Sequence, residues 1–397
     1  MNRKKYLYAA AGVLSLLIVG SIYAWSVISR PIVQEYPQWS ASQISTTFTL
    51  VMAFFCLGCL ISGLLVSRIR PQILVGAAAL VYALGMVLAS RMNSLPQLYL
   101  SFGVICGLAS GFAYNAVIGS VSKWFPERQG LISGVLLMGF GTSSFLTGNL
   151  FQLFTPAQTG AWRTSFLVLG IGGGLLVLLC APWIVRPPAP AGVSGSMETG
   201  AKQYTPRQTL SSPAFWLYYL WAVILSAAGL VIVSQASPIA SEICSGTPAG
   251  TIAFVVGMIS ICNGIGRIIV GGMFDKYGAT KTMANVAVSF LASAVLLILA
   301  KVTGNFALLV AAFLMTGFSY GGVTPTNAAF ISSVFGQKHY AVNFSLINTN
   351  LLFASFGSLI AGSLYDSTGS YLSSFFLLIG FSLAGLLLTW LIKKALK

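Results

Sequence analysis

Twelve times along this chain an apolar stretch runs for about 18 residues or more before polar residues interrupt it. A helix rising 1.5 Å per residue needs about 20 such residues to cross the roughly 30 Å of hydrocarbon in a bilayer. Backbone polar groups in lipid must be satisfied within the segment, which leaves the helix as the form for each stretch. The spans fall at 6–28, 43–66, 72–90, 96–122, 130–153, 163–185, 214–236, 250–273, 281–300, 304–332, 341–364 and 371–392. The first is too long for a signal-peptide core and lacks a small-residue cleavage site, so it is read as a span. With 56% apolar and only 7% charged residues, the expected class is an all-α membrane protein of twelve transmembrane helices, with the lipid bilayer as its first partner.

Between the sixth and seventh spans lies "RPPAPAGVSGSMETGAKQYTPRQTLSSP", rich in Pro, Gly and Ser. It reads as a linker, 186–213, between two six-helix halves, 1–185 and 214–397. The net charge of +15 would suit nucleic acid, but its distribution argues against that partner. If both termini are cytoplasmic, inner loops and tails hold sixteen of the twenty-one Lys and Arg, outer loops hold Arg30, Arg91, Arg163 and Lys301, and Arg267 is left over. That is the positive-inside pattern, so the charge fixes orientation in a plasma (inner) membrane. The six cysteines lie in apolar stretches. Cys56 and Cys59 form CxxC in mid-span with no His or second pair nearby, so small core residues are expected rather than a metal site. The lone His339 falls in a loop. No cofactor is expected.

A shift of about 210 residues lays "GLASGFAYNAVIGSVSKWF" (107–125) over "GFSYGGVTPTNAAFISSVF" (317–335), with Gly107 on Gly317, Gly111 on Gly321 and Phe125 on Phe335. Parallel repeats of this kind place a substrate site at their interface near the midplane, with access alternating as the halves rock. "GGMFDKYGATK" (271–281) resembles the loop signature between helices 8 and 9 of the major facilitator superfamily; in the first-half copy, "GLLVSRIRP", Ser67 stands where the family usually has Asp. "GSIYAWSV" (20–27) and "KWFPERQGLISG" (123–134) resemble the oxalate/formate antiporter family, which includes bacterial monocarboxylate (lactate-type) transporters. The resemblance covers the chain apart from the linker. It implies the major facilitator fold and a carrier of small organic anions, expected to act as a monomer.

"SICNGIGRII" (260–269) puts Arg267 inside an apolar helix. A charge at helix centre costs about 2.5–3.5 kcal/mol on insertion scales, so it normally faces a cavity or a partner. Snorkelling towards the cytoplasmic interface is the competing reading, because Asp275 is only about 12 Å further along the axis. The repeat-equivalent "FFCLGCLI" carries no charge, which suggests a task particular to the eighth span. Asn263 lies four residues earlier on the same face. An amide beside the planar guanidinium fork makes a carboxylate receptor, although an interhelical hydrogen bond would also account for the Asn. In the family that the chain resembles, an arginine on helix 8 binds the substrate carboxylate, and Arg267 matches it. Tyr114 and Asn115 in the fourth span, Tyr320 with Thr324 and Asn327 in the tenth, and Tyr23 in the first are further substrate-binding candidates; packing is the alternative for each tyrosine. Asp275 and Lys276 are candidates for gating or coupling.

The family's oxalate exchangers carry a lysine on helix 11. Here that helix reads "YAVNFSLINTNLLFASFGSLIAGSLY", with no Lys or Arg. One buried cation balances one carboxylate, and a dianion would leave a charge uncompensated. The expected substrate is therefore a small monocarboxylate such as lactate, pyruvate, formate or acetate. Glu35, Glu127, Glu198, Glu242, Asp275 and Asp366 are all loop or edge residues, so no span supplies a carboxylate relay, and Arg267 stays protonated. The proton would then travel with the substrate in symport, or one anion would be exchanged for another; the lactate-type resemblance favours symport. A membrane enzyme would need a polar catalytic cluster, and none is visible in the spans.

Overall fold

The computed structural model describes residues 4–65, 68–125, 129–155, 160–187, 203–336 and 339–396. Ser67, Glu127, Glu198, most of the linker and the cations Arg3, Arg128, Lys202, Lys338 and Lys397 lie outside the described residues. Every described span is helical. The first half comprises α1 (Lys4–Glu35), α2 (Ala41–Leu65), α3 (Pro71–Ser90), α4 (Leu95–Val121), α5 (Gln129–Phe154) and α6 (Trp162–Trp183). The second half opens with α7 (Pro213–Ile243) and closes with α10 (Phe306–Phe335), α11 (Val342–Thr368) and α12 (Leu372–Ala395). Between α7 and α10 the helix runs without a loop for 55 residues, Ala249–Thr303, roughly 80 Å at 1.5 Å per residue. Gly278, at φ 76° and ψ 173°, breaks it. It is therefore two spans, α8 (249–277) and α9 (279–303), and the described residues supply all twelve.

With twelve spans, the start of α1 at Lys4 and the end of α12 at Ala395 lie on one face of the bundle, here the terminal face, opposite the far face. Several helices outrun the expected spans. Arg30, expected in a loop, sits inside α1, which continues to Glu35 past Pro31. On the far face Arg163 pairs with Glu35 at 3.1 Å and Lys301 pairs with Glu242. Leu80, Leu179, Val302 and Leu387 are exposed around the outside of the bundle, as lipid-facing residues must be. The end of the linker docks on the second half: Tyr204 N–H donates to the Phe335 carbonyl at 3.0 Å, and Asn343 Nδ2 donates to the Tyr204 carbonyl at 3.2 Å.

The same glycine contacts recur in both halves. A Cβ on Gly107 or Gly111 of α4 would overlap the carbonyls of Val51 and Phe55 on α2. A Cβ on Gly317 or Gly321 of α10 would overlap the carbonyls of Ile259 and Asn263 on α8. Only hydrogen at these positions lets the two backbones approach so closely. The equivalence makes Phe55 the repeat counterpart of Asn263, and Cys59 that of Arg267.

Candidate functional site

α1 does not run straight through the bundle. At Gly20–Ala24 it tightens into a 3-10 turn before α-helix resumes at Trp25. A Cβ on Gly20 would stand 2.7 Å from the Phe140 carbonyl and 2.8 Å from Ser143 Cβ, so the glycine lets this turn lie against α5. Mid-helix 3-10 segments often mark functional positions, and this one carries Tyr23 to the interface between the halves. There Tyr23 Oη and Tyr320 Oη of α10 lie 3.2 Å apart in a hydrogen bond that joins the first half to the second.

These two tyrosines, with Gly141 of α5, Val233 of α7 and Ile259, Ser260, Asn263 and Arg267 of α8, line a cavity of about 10 Å³. That is room for about one water, so in this conformation the site is contracted around its polar groups. Arg267 is 7% exposed. Its Nε donates to Asn263 Oδ1 at 2.9 Å, while its buried Nη1 meets no hydrogen-bond partner. Tyr23, Tyr114 and Tyr320 all lie within electrostatic reach of the guanidinium. Snorkelling is thus not what the side chain does: it turns into the interface.

No described carboxylate neutralises this cation. Glu35 binds Arg163 and Trp162. Glu242 binds Lys301, Ser370 and the Tyr371 N–H. Asp366 binds the start of α2, and Asp275 is exposed. A buried, unpaired guanidinium is costly unless something compensates it. Here one amide oxygen and the tyrosine hydroxyls compensate it in part, and a donor remains for an acceptor from outside the chain.

Of the residues expected from sequence, Tyr23, Asn263, Arg267 and Tyr320 come together. Tyr114 stands just outside the cavity lining, its hydroxyl interacting with the Arg267 side chain and its ring packed on Phe55 and Phe140 with ring centroids 5.1 and 4.9 Å away. Asn115 does not join them. Its Nδ2 donates to the Cys59 carbonyl at 2.9 Å, a helix-packing role set by its position one residue round the helix from Tyr114. Asn327 accepts from Tyr218 Oη at 2.8 Å, another packing bond. Asp275 and Lys276 are exposed beside the Gly278 break at the terminal face and do not line the cavity.

Gly141, Val233, Ile259 and Ser260 also line the cavity, although none was expected from the sequence. Ser260 was within reach, since it shares the i, i+3, i+7 face of Asn263 and Arg267. Gly141 matters because a Cβ there would stand 3.1 Å from Asn263 Oδ1 and 3.8 Å from Arg267 Nε, and only the fold brings α5 against α8. Val233 and Ile259 are apolar residues in apolar helices and carry no sequence signal.

The sequence model of the Major Facilitator Superfamily matches residues 10–356. Over 393 aligned residues the chain is 27% identical to the oxalate:formate antiporter of Oxalobacter formigenes, covering 96% of this chain and 91% of that protein. It is 26% identical to monocarboxylate transporter 13 of Rattus norvegicus over 397 aligned residues, covering 94% of this chain and 84% of that one. Among solved structures, a bacterial homolog of the human lysosomal transporter Spinster, in its inward-facing, occupied conformation, superposes with a TM-score of 0.77 over 100% of this chain and 98% of that chain, at 13% identity. At that identity the likeness speaks to the fold alone.

Proposed function

The chain belongs to the Major Facilitator Superfamily and is a multi-pass membrane transporter, and from that premise we propose that it carries small monocarboxylates of the lactate and pyruvate type in symport with a proton. The observation that carries this reading is the buried Arg267 guanidinium at the interface of the halves, with Nη1 unpartnered and no described carboxylate to neutralise it. One cation takes one carboxylate. Asn263 gives its oxygen to Arg267, which leaves its amide N–H groups to donate to the second carboxylate oxygen. Val233 and Ile259 offer apolar walls for a short carbon chain. The sequence of α11 adds no second cation.

Positive-inside bias supports a plasma-membrane location with the terminal face cytoplasmic, and a single chain contains the whole site. Asp275 and Lys276, beside the Gly278 break, are proposed to act at the cytoplasmic gate rather than in binding. The proton travels with the acid, beside its carboxylate among the tyrosine hydroxyls, because no described acid lies in the cavity. A second reading, exchange of one anion for another, is favoured by that same lack of a relay and by the activity for which the Oxalobacter relative is named. Uptake of labelled lactate into empty proteoliposomes separates the two. Symport gives uptake stimulated by acid outside and abolished by a protonophore; exchange gives none until the vesicles are preloaded with anion.

A further inference from the structure

We propose that Asp366 latches the far face of the carrier shut by capping a helix that belongs to the opposite half. The first N–H groups of a helix have no intrahelical acceptor. At the start of α2, Gln43 N–H donates to Ser40 Oγ at 3.3 Å and Ser40 N–H donates to Gln43 Oε1 at 2.9 Å, a reciprocal capping box. The box leaves the N–H groups of Ala41 and Ser42 unserved. They donate to the two carboxylate oxygens of Asp366, at 3.0 and 2.9 Å. Asp366 stands near the end of α11, 325 residues along the chain from Ala41. The N-terminus of α2 is therefore fully capped only while the second half is docked on the first.

The bonds are charge-assisted, and the helix dipole favours a carboxylate at that end. Gly362, one turn back on α11, lets the two helices touch: a Cβ there would stand 2.8 Å from the Ala41 carbonyl and 2.9 Å from Ser42 Cα. Below the latch, Gln235 of α7 donates to Ser45 of α2 while Tyr371 Oη donates to Gln235 Oε1 at 3.0 Å. Thr49 of α2 donates to the Ser355 carbonyl of α11 at 3.0 Å. These contacts tie the halves together on the far-face side of the cavity, and Asp366 is the sole charged member among them. Rocking the halves apart at the far face must break both of its bonds.

The latch rests on the carrier reading and not on which acid is carried. Val233 lines the cavity beneath it, so a cysteine there reacts from the far face only when that face opens. The test is the rate at which a membrane-impermeant maleimide, applied from the far face of vesicles of known sidedness, labels Val233→Cys, with the chain retaining Val233 as the blank. Adding Asp366→Ala should speed labelling about fivefold, the factor that loss of a helix cap gives. Asp366→Asn, which keeps the volume and one oxygen, should fall between and serves if the alanine variant folds poorly. Gln43→Ala opens the capping box without touching the Asp366 bonds and should leave the rate near that of the parent. Equal rates with and without Asp366, or an equal rise with Gln43→Ala, would overturn the latch. Failure of Val233→Cys to react in any folded variant, while it reacts once denatured, would instead overturn alternating access itself.

Discussion

Arg267 Nε donates to Asn263 Oδ1 at 2.9 Å, one turn apart on the buried face of α8. The amide thus holds the guanidinium at the interface and leaves Nη1 unpartnered, free for the carboxylate proposed above. Asn263→Ala should remove that hold and leave a charged donor without its acceptor, a cost of about 1.5 kcal/mol, or some tenfold in substrate affinity. Asn263→Asp should be more severe, because an ion pair on the same helix would neutralise the receptor. Titration of lactate against tryptophan fluorescence reads both. Lactate binding by Asn263→Asp as tight as the parent's would show that the charge of Arg267 is not what the substrate meets.

The Tyr23–Tyr320 bond spans the two halves at 3.2 Å, and in a cavity of about 10 Å³ these hydroxyls must part to admit an acid. Tyr320→Phe should cost about 1 kcal/mol of polar contact, raising the KM for uptake roughly fivefold while the protein remains folded. An unchanged KM would move Tyr320 from substrate contact to packing.

Close packing of α8 on α10 holds the site together, and the glycines predict where it is vulnerable. Gly321→Ala would push a methyl into the Asn263 backbone and should destabilise by about 1–3 kcal/mol, with loss of binding. Gly272→Ala on the same α8 meets nothing within 4 Å and should be neutral or stabilising by up to about 1 kcal/mol. Thermal unfolding in detergent compares the two; equal melting temperatures would contradict the packing account.

The proposed symport can be tested through its charge balance. One anion with one proton moves no net charge, so uptake should respond to a pH gradient and hardly to voltage, whose leverage on a single charge is about 2.3 kcal/mol per 100 mV. Uptake that follows an imposed potential at constant pH would contradict symport with one proton.

Much of this architecture was legible in the sequence because membrane folding leaves few choices. Apolar length gave the spans, and the glycine register of α4 and α10 gave the repeat, down to the pairs that touch α2 and α8. A charge in an apolar helix pointed to Arg267, and helical spacing pointed to Asn263. Contacts between the halves were not legible. Tyr114 and Asn115 are neighbours in sequence, yet one faces Phe140 and the other the Cys59 carbonyl, and a rotation of about 100° per residue decides it. Gly141 and Val233 reach the site only through the docking of α5 and α7 on α8. Asp366 read as an edge residue, because its partners are backbone N–H groups, which every residue but proline has.

Everything proposed above turns on one arginine acting as the receptor for one carboxylate. The most direct measurement is the shift in unfolding temperature of the purified protein on adding lactate or oxalate, for the parent, Arg267→Lys and Arg267→Gln. For the parent, lactate should give a clear rise and oxalate a small one. Arg267→Gln should show no rise with either acid, and Arg267→Lys a weak one, because it keeps the charge but loses the planar fork. A larger shift with oxalate than with lactate, or an undiminished lactate shift in Arg267→Gln, would contradict that role for Arg267.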